Sequence, residues 1–255
     1  GEGLGGSGWR GKPIYEPAKL FEMVSALDKL GFQVHMHCCG DAAVALAIDA
    51  LEALQGSEAV AIVDGKRELR RRHIIAHVQF ISTPDITRIG KLGAMVNMSP
   101  FWFQRSECEY VNSLVEPQIA FTQYPCRSIV DAGARVCFGS DWPVSSVVPL
   151  QGIQVAVTRQ SLPEDLPPHG NAAEEEWNYG ESISLAEALQ FYTQGSARAN
   201  FREEEVGAVR VGWQADLVLL DADPFSVPPH EISKCRVLRT LCKGDTVWDA
   251  ASVQP

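Results

Sequence analysis

Phe32-Gln33-Val34-His35-Met36-His37-Cys38-Cys39-Gly40-Asp41 is a short apolar-rich run set between two stretches of helical periodicity, and it reads as a strand. Before it, Leu20, Phe21, Val24, Leu27 and Leu30 recur at helical spacing, and Gly31 is a natural stop. After it, Asp41 is placed to cap a helix whose apolar face holds Val44, Ile48 and Leu51. The first unit of the chain is therefore helix, strand, helix.

The same alternation continues downstream. Residues 72–80 read as a second strand, and 84–92 as a short helix with Thr83 as cap and Pro84 in its first turn. Residues 93–101 give a third strand. After a long excursion, 124–132 read as helix and 135–144 as a fourth strand ending in a loop. Strands alternating with helices predict a parallel sheet with crossover helices. Ser184 and Glu187 form a capping box for a helix running to about Asn200. From Val206 the pattern changes to strands and turns, with Lys243-Gly244-Asp245 as a hairpin turn, so 205–255 reads as a small β segment after a first region, 1–204. A closed (β/α) barrel needs eight strands in about 250 residues, and four are legible here, so the expectation is about half of a TIM-type barrel.

The 255 residues are 45% apolar and 21% charged, an ordinary globular composition, and the formal net charge is -10. An acidic chain is not drawn to nucleic acid or to an anionic membrane surface, so neither is expected as a partner. A small-molecule substrate and a homodimer are the expected associations. No apolar run is long enough to span a bilayer. The opening residues 1–13 have no apolar signal-peptide core and no initiating Met, which suggests a processed chain or a part of a longer one. Seven cysteines, odd in number and without a CxxC pair, suggest neither a disulfide framework nor a cysteine zinc site; a cytoplasmic setting is expected.

In parallel α/β folds, functional side chains gather at the carboxyl ends of the strands. His37 ends the first strand, His77 lies near the end of the second, and Asp141 follows the fourth. Neutral imidazoles and a carboxylate suit a divalent metal with room for water. Each residue also has a plainer reading, as a hydrogen-bonded core or surface His, or as a loop Asp, and spacing without HxxxH or HExxH leaves both open. His35 shares a strand face with His37 and is assigned to packing or support. Cys38 and Cys39 read as small buried residues rather than nucleophiles. Arg70, Arg71 and Arg72 read as a solvated basic run. Phe101, Trp102 and Phe103 line a pocket or simply pack.

His37-Cys38-Cys39-Gly40-Asp41, Arg72-His73-Ile74-Ile75-Ala76-His77, Gly139-Ser140-Asp141-Trp142-Pro143-Val144 and Ala215-Asp216-Leu217-Val218-Leu219-Leu220-Asp221 occur in this order. Together they resemble the amidohydrolase family 3 branch, YtcJ-like, of the amidohydrolase superfamily. The resemblance implies a distorted (β/α)8 barrel, of which this chain supplies strands 5–8, with part of a β-sandwich at the carboxyl terminus. It implies His37 and His77 as metal ligands, and Asp141 as ligand and proton shuttle. It also implies a divalent metal, Zn2+ above others, as one or two ions, and hydrolysis of carbon–nitrogen bonds of amide or formamide type through metal-activated water. Trp102 and Trp142 are the expected substrate-contacting residues. The family's first-strand His-x-His and its fourth-strand bridging residue are absent. Met98-Ser99-Pro100-Phe101-Trp102 also departs from the Gln-Pro-x-His often found there. Three functions are carried forward: a C–N hydrolase, a non-catalytic half-barrel acting through binding or assembly, and a deaminase or cyclic-amide hydrolase.

Overall fold

The computed structural model of the protein describes residues 12–54, 60–63, 65–163 and 177–252. The chain divides into two compact units. The first takes in the described residues of Gly1–Met98, Arg105–Val136 and Trp177–Glu181; the second takes in those of Ser99–Gln104, Cys137–Glu176 and Ser182–Pro255.

In chain order the first unit holds α1 (Pro17–Lys29), β1 (His35–Cys38), α2 (Asp41–Glu52), β2 (Val60–Val63), β3 (Lys66–Leu69), β4 (Ile74–His77), α3 (Thr83–Leu92), β5 (Met95–Met98), α4 (Arg105–Asn112), α5 (Pro117–Ala120), α6 (Cys126–Asp131) and the opening residues of β6 (Arg135–Phe138). The main sheet runs β1-β4-β5-β6. β1 pairs parallel with β4, His35 opposite Ile74 and Cys38 opposite His77, and β4 pairs parallel with β5. The fold class is thus mixed α/β with a parallel sheet. The crossovers are helical because α2, α3 and α6 each present an apolar face: Val44, Ile48 and Leu51; Ile89 and Leu92; Ile129. These side chains and the sheet's Ile75, Met95 and Val96 are buried to within 2% of complete. Each such burial contributes roughly 1.5–3 kcal/mol.

Local chemistry sets the element ends, and in places shifts them from the sequence reading. Gly40, not Asp41, is the N-cap of α2; Asp41 is its first residue and takes the Ala42 N–H on Oδ1 at 2.8 Å. Ser82, one residue before Thr83, caps α3 by accepting from the Asp85 N–H. Gly93 closes α3 in the left-handed region (φ 80). Gly90 lies where α3 meets α6, and a Cβ there would overlap the Ala132 carbonyl.

A hairpin, β2–β3, precedes β4 and was not read from the sequence. Its signal was Asp64-Gly65 between two four-residue runs, Val60–Val63 and Lys66–Leu69. Glu68, 3% exposed, accepts from Arg72 Nε at 3.1 Å and pairs with Arg135 Nε at 2.8 Å. Arg72 is therefore no solvated loop residue; Arg70 and Arg71 are exposed.

The second unit holds a 3-10 turn (Pro100–Phe103), the end of β6, α7 (Pro149–Thr158), α8 (Leu185–Gln190), a π-helical turn (Phe191–Gly195), α9 (Ser196–Ala199), and an antiparallel sheet of β7 (Leu217–Leu220), β8 (Val237–Cys242) and β9 (Asp245–Asp249). The capping box at Ser184 and Glu187 has both of its hydrogen bonds. Cys242 pairs with Asp245, and Lys243 and Gly244 between them both have positive φ, 55 and 89, the requirement of a two-residue primed turn. Phe103, Ile153, Val155, Leu162, Ala188 and Ile232 form this unit's core. The stretch 161–179, rich in Pro, Glu and Asn and by sequence a loop, flap or surface insertion, falls largely outside the described residues, and so do its His169 and its acidic run Glu174, Glu175 and Glu176. Among the described residues no helix is long and apolar enough to cross a membrane.

Candidate functional site

In the first unit, β1 alternates: His35 and His37 stand on one exposed face, while Met36 and Cys38 point into the core. Cys38 pairs with His77 across the β1–β4 ladder, and this brings the imidazoles of His37 and His77 together. Their ring centroids lie 4.5 Å apart at 63°. His77 and Val78 both have left-handed backbone, φ 68 and 50. This conformation is costly for any residue with a Cβ, more so for β-branched Val78. It turns the chain at the end of β4, and the ladder is carried onward by Val78 N–H to Cys38 O at 3.0 Å and Phe80 N–H to Cys39 O at 2.9 Å. Cys39 Sγ lies 3.9 Å from His37 Nε2.

Neighbouring groups sort by environment. Burial, aided by Cys39, pushes the Cys38 thiol up to about 12, which removes it as a nucleophile. Partial desolvation and the nearby His37 hold His35 below its ordinary value, and His35 is exposed rather than packed. His73 is buried at the opposite end of β4: its Nδ1 accepts from the Val34 N–H at 3.0 Å, and its Nε2 meets Asp28 Oδ1 at 3.1 Å. It is a tie between α1 and the sheet, and burial lowers its pKa despite the Asp28 carboxylate.

In the second unit, Asp141 follows β6 in a turn of its own. Its backbone is left-handed (φ 61), and its carbonyl accepts from the Val144 N–H at 2.8 Å. Trp102, in the 3-10 turn after β5, donates its indole Nε1–H to Asp141 Oδ2 at 3.3 Å. Sequence reading placed Trp102 near the site but missed this bond. Trp142 is 67% exposed.

A divalent ion of the zinc type takes three or four protein donors of this kind. The His37–His77 pair matches in donor type, but among the described residues no group of three or more His, Cys, Asp or Glu is disposed to hold an ion. The described residues thus present a pair of imidazoles rather than a three-donor group.

Comparison with known proteins gives a consistent picture. The family model described as amidohydrolase family matches residues 3–248. The putative amidohydrolase YtcJ of Bacillus subtilis is 25% identical over 94% of this chain and 42% of its own length. The N-substituted formamide deformylase of Arthrobacter pascens is 28% identical over 92% of this chain and 40% of its own. An uncharacterized metal-dependent hydrolase from Pyrococcus horikoshii OT3 shares the fold with a TM-score of 0.69, at 21% identity over 86% of this chain and 40% of that one. The chain spans about two fifths of the length of the curated relatives it matches.

Proposed function

The chain belongs to the amidohydrolase family, and on that premise we propose that it is part of a metal-dependent hydrolase of carbon–nitrogen bonds other than peptide bonds. The bond type is amide or formamide, a choice supported by the likeness to a protein named as an N-substituted formamide deformylase. The observation that carries the reading is the edge-on contact of His37 and His77 at the ends of neighbouring parallel strands. In this reading the sheet β1-β4-β5-β6 is strands 5–8 of a (β/α)8 barrel, and β7–β9 belong to a β-sandwich.

His37, His77 and Asp141 are the residues that would hold the ion, Zn2+ before others, with the remaining donors supplied by a further part of the protein. Such an ion supplies Lewis acidity toward a carbonyl and acidifies water. The chain's own residues do the rest. The imidazoles offer ring nitrogens from neighbouring strands of one ladder. Asp141 takes a proton from the attacking water on a carboxylate oxygen and returns it to the leaving nitrogen. Trp102 and Trp142 contact a small substrate.

The test is elemental analysis of the purified chain beside its His77→Ala variant after exhaustive buffer exchange, followed by a screen of N-substituted amides and formamides. Near-stoichiometric zinc in the chain, lost in the variant, supports the reading. A chain that stays metal-free and inactive when joined to a family-type upstream half refutes it. Ammonia among the products would move the assignment to a deaminase. A second reading, a non-catalytic half-barrel acting through binding or assembly, is favoured by one observation: the described residues hold no three-donor group.

A further inference from the structure

Trp102 sits on a platform with little freedom. Its main-chain N–H closes the 3-10 turn onto Ser99 O at 3.0 Å. The next residue, Phe103, is fully buried, edge-on to Phe138 at 6.2 Å between centroids, with the Arg159 guanidinium 4.8 Å over its ring. On the other side, the Phe101 ring meets the indole edge-on at 6.1 Å. A side chain held this way at its base can aim a donor. Its Nε1–H is aimed at Asp141 Oδ2, 3.3 Å away.

An indole donates and never accepts, so this contact exists only with an acceptor oxygen in that place. The Asp141 main chain is already fixed, since its carbonyl accepts from Val144 and Ser145 N–H at 2.8 and 3.4 Å. What the main chain leaves open is rotation of the carboxylate about its side-chain bonds. The indole engages one oxygen, Oδ2, and so selects the orientation of the other.

We infer that Trp102 is a positioning residue for Asp141, fixing the carboxylate's orientation through its indole N–H rather than only lining a pocket with its ring. The inference rests on the role proposed for Asp141.

The experiment uses the full chain with labelled tryptophan and aspartate, read by NMR. The Trp102 indole cross-peak is assigned by its loss in Trp102→Phe, and the other five of the chain's 6 tryptophans report the integrity of the fold. Asp141→Ala is expected to move the Trp102 cross-peak, with no more than the adjacent Trp142 shifting beside it, and to speed exchange of the Trp102 indole proton about tenfold, the loss of one hydrogen bond. Trp102→Phe is expected to move the Asp141 side-chain carboxyl resonance, and Trp102→His to bring it back toward its original position. Should Asp141→Ala disturb every indole, the isosteric Asp141→Asn is expected to shift Trp102, with no more than Trp142 beside it. A Trp102 cross-peak indifferent to both substitutions, or an Asp141 resonance indifferent to Trp102→Phe, overturns the inference. Failure of hydrolysis with these spectral responses intact counts against the proposed function and leaves the contact standing.

Discussion

Glu68→Gln should be among the most damaging isosteric changes in the first unit. Glu68 is 3% exposed and sits between two guanidinium groups, Arg72 Nε at 3.1 Å and Arg135 Nε at 2.8 Å, whose side chains are only 13% and 12% exposed. The Gln amide keeps the volume, removes the charge, and turns an NH2 donor toward one Arg donor. Two desolvated cations then lose the Glu68 carboxylate, a change that costs roughly 3–5 kcal/mol. With burial this complete, solvent screening offers little relief. At roughly 2–4 °C per kcal/mol for a domain of this size, the melting transition should fall by about 6–20 °C. Thermal melts by circular dichroism, with urea titrations for the free energy, read this directly. The cycle of Glu68→Ala with Arg72→Ala should give a coupling above about 1 kcal/mol. A Glu68→Gln melt within about 2 °C of wild type would refute the claim that the hairpin is anchored electrostatically.

Other expectations follow from the same geometry. Burial holds His73 below its ordinary pKa, so below about pH 6.5 the unfolded state binds a proton that the folded state resists; stability then falls with pH, by at most about 1.4 kcal/mol per pH unit, until the folded His73 titrates. Urea midpoints from pH 8 to 5 should show that slope, and His73→Gln should flatten it. Gly90→Ala should destabilise by about 1–3 kcal/mol or more, because the new methyl meets the Ala132 backbone rather than a side chain able to rotate away; an unchanged melt would contradict the α3–α6 approach. Cys38, buried and with its thiol pushed up to about 12, should alkylate far more slowly at pH 8 than exposed Cys242, by peptide mass spectrometry on the native chain; equal rates would contradict its burial.

The sequence made element types easier to read than element ends. The run at 32–41 is a strand as read, but the regular strand occupies only His35–Cys38, with single hydrogen bonds at Val34, Cys38 and Cys39 continuing past its ends. The read strand at 72–80 shrinks to Ile74–His77 because His77 and Val78 turn left-handed, and no residue type there announces it. The hairpin β2–β3 has its turn signal in Asp64-Gly65, but its four-residue strands lack the strict alternation that marks a strand in sequence. α7 also escaped, being apolar nearly all round: Gly152, Ile153, Gln154, Val155 and Ala156 are consecutive buried residues, so no stripe appears. For the site, strand-end position singled out His37 and His77, and the parallel register explains why they meet. The Trp102–Asp141 bond joins residues 39 apart, a separation at which local pattern carries no information.

Backbone strain offers a separate argument about which residues act. Several left-handed turns of this chain use glycine, as at Gly31, Gly93, Gly133 and Gly244. A residue with a Cβ kept in that conformation costs of order 1 kcal/mol or more, and some return from its side chain is the natural expectation. For Arg72 the return is the Glu68 pair, and for Arg159 it is burial over Phe103. His77 (φ 68) and Asp141 (φ 61) accept the same strain with side chains that do not fill a core: one faces another imidazole, the other is held by an indole N–H. Neither residue belongs to the buried core, and glycine or asparagine would relieve the strain at both positions. His77→Gly and Asp141→Gly should each leave the melting temperature unchanged or raise it while removing metal binding or hydrolysis, the signature of residues retained for chemistry at the expense of stability. A marked fall in melting temperature for either variant would instead make that residue structural and withdraw it from the proposed site.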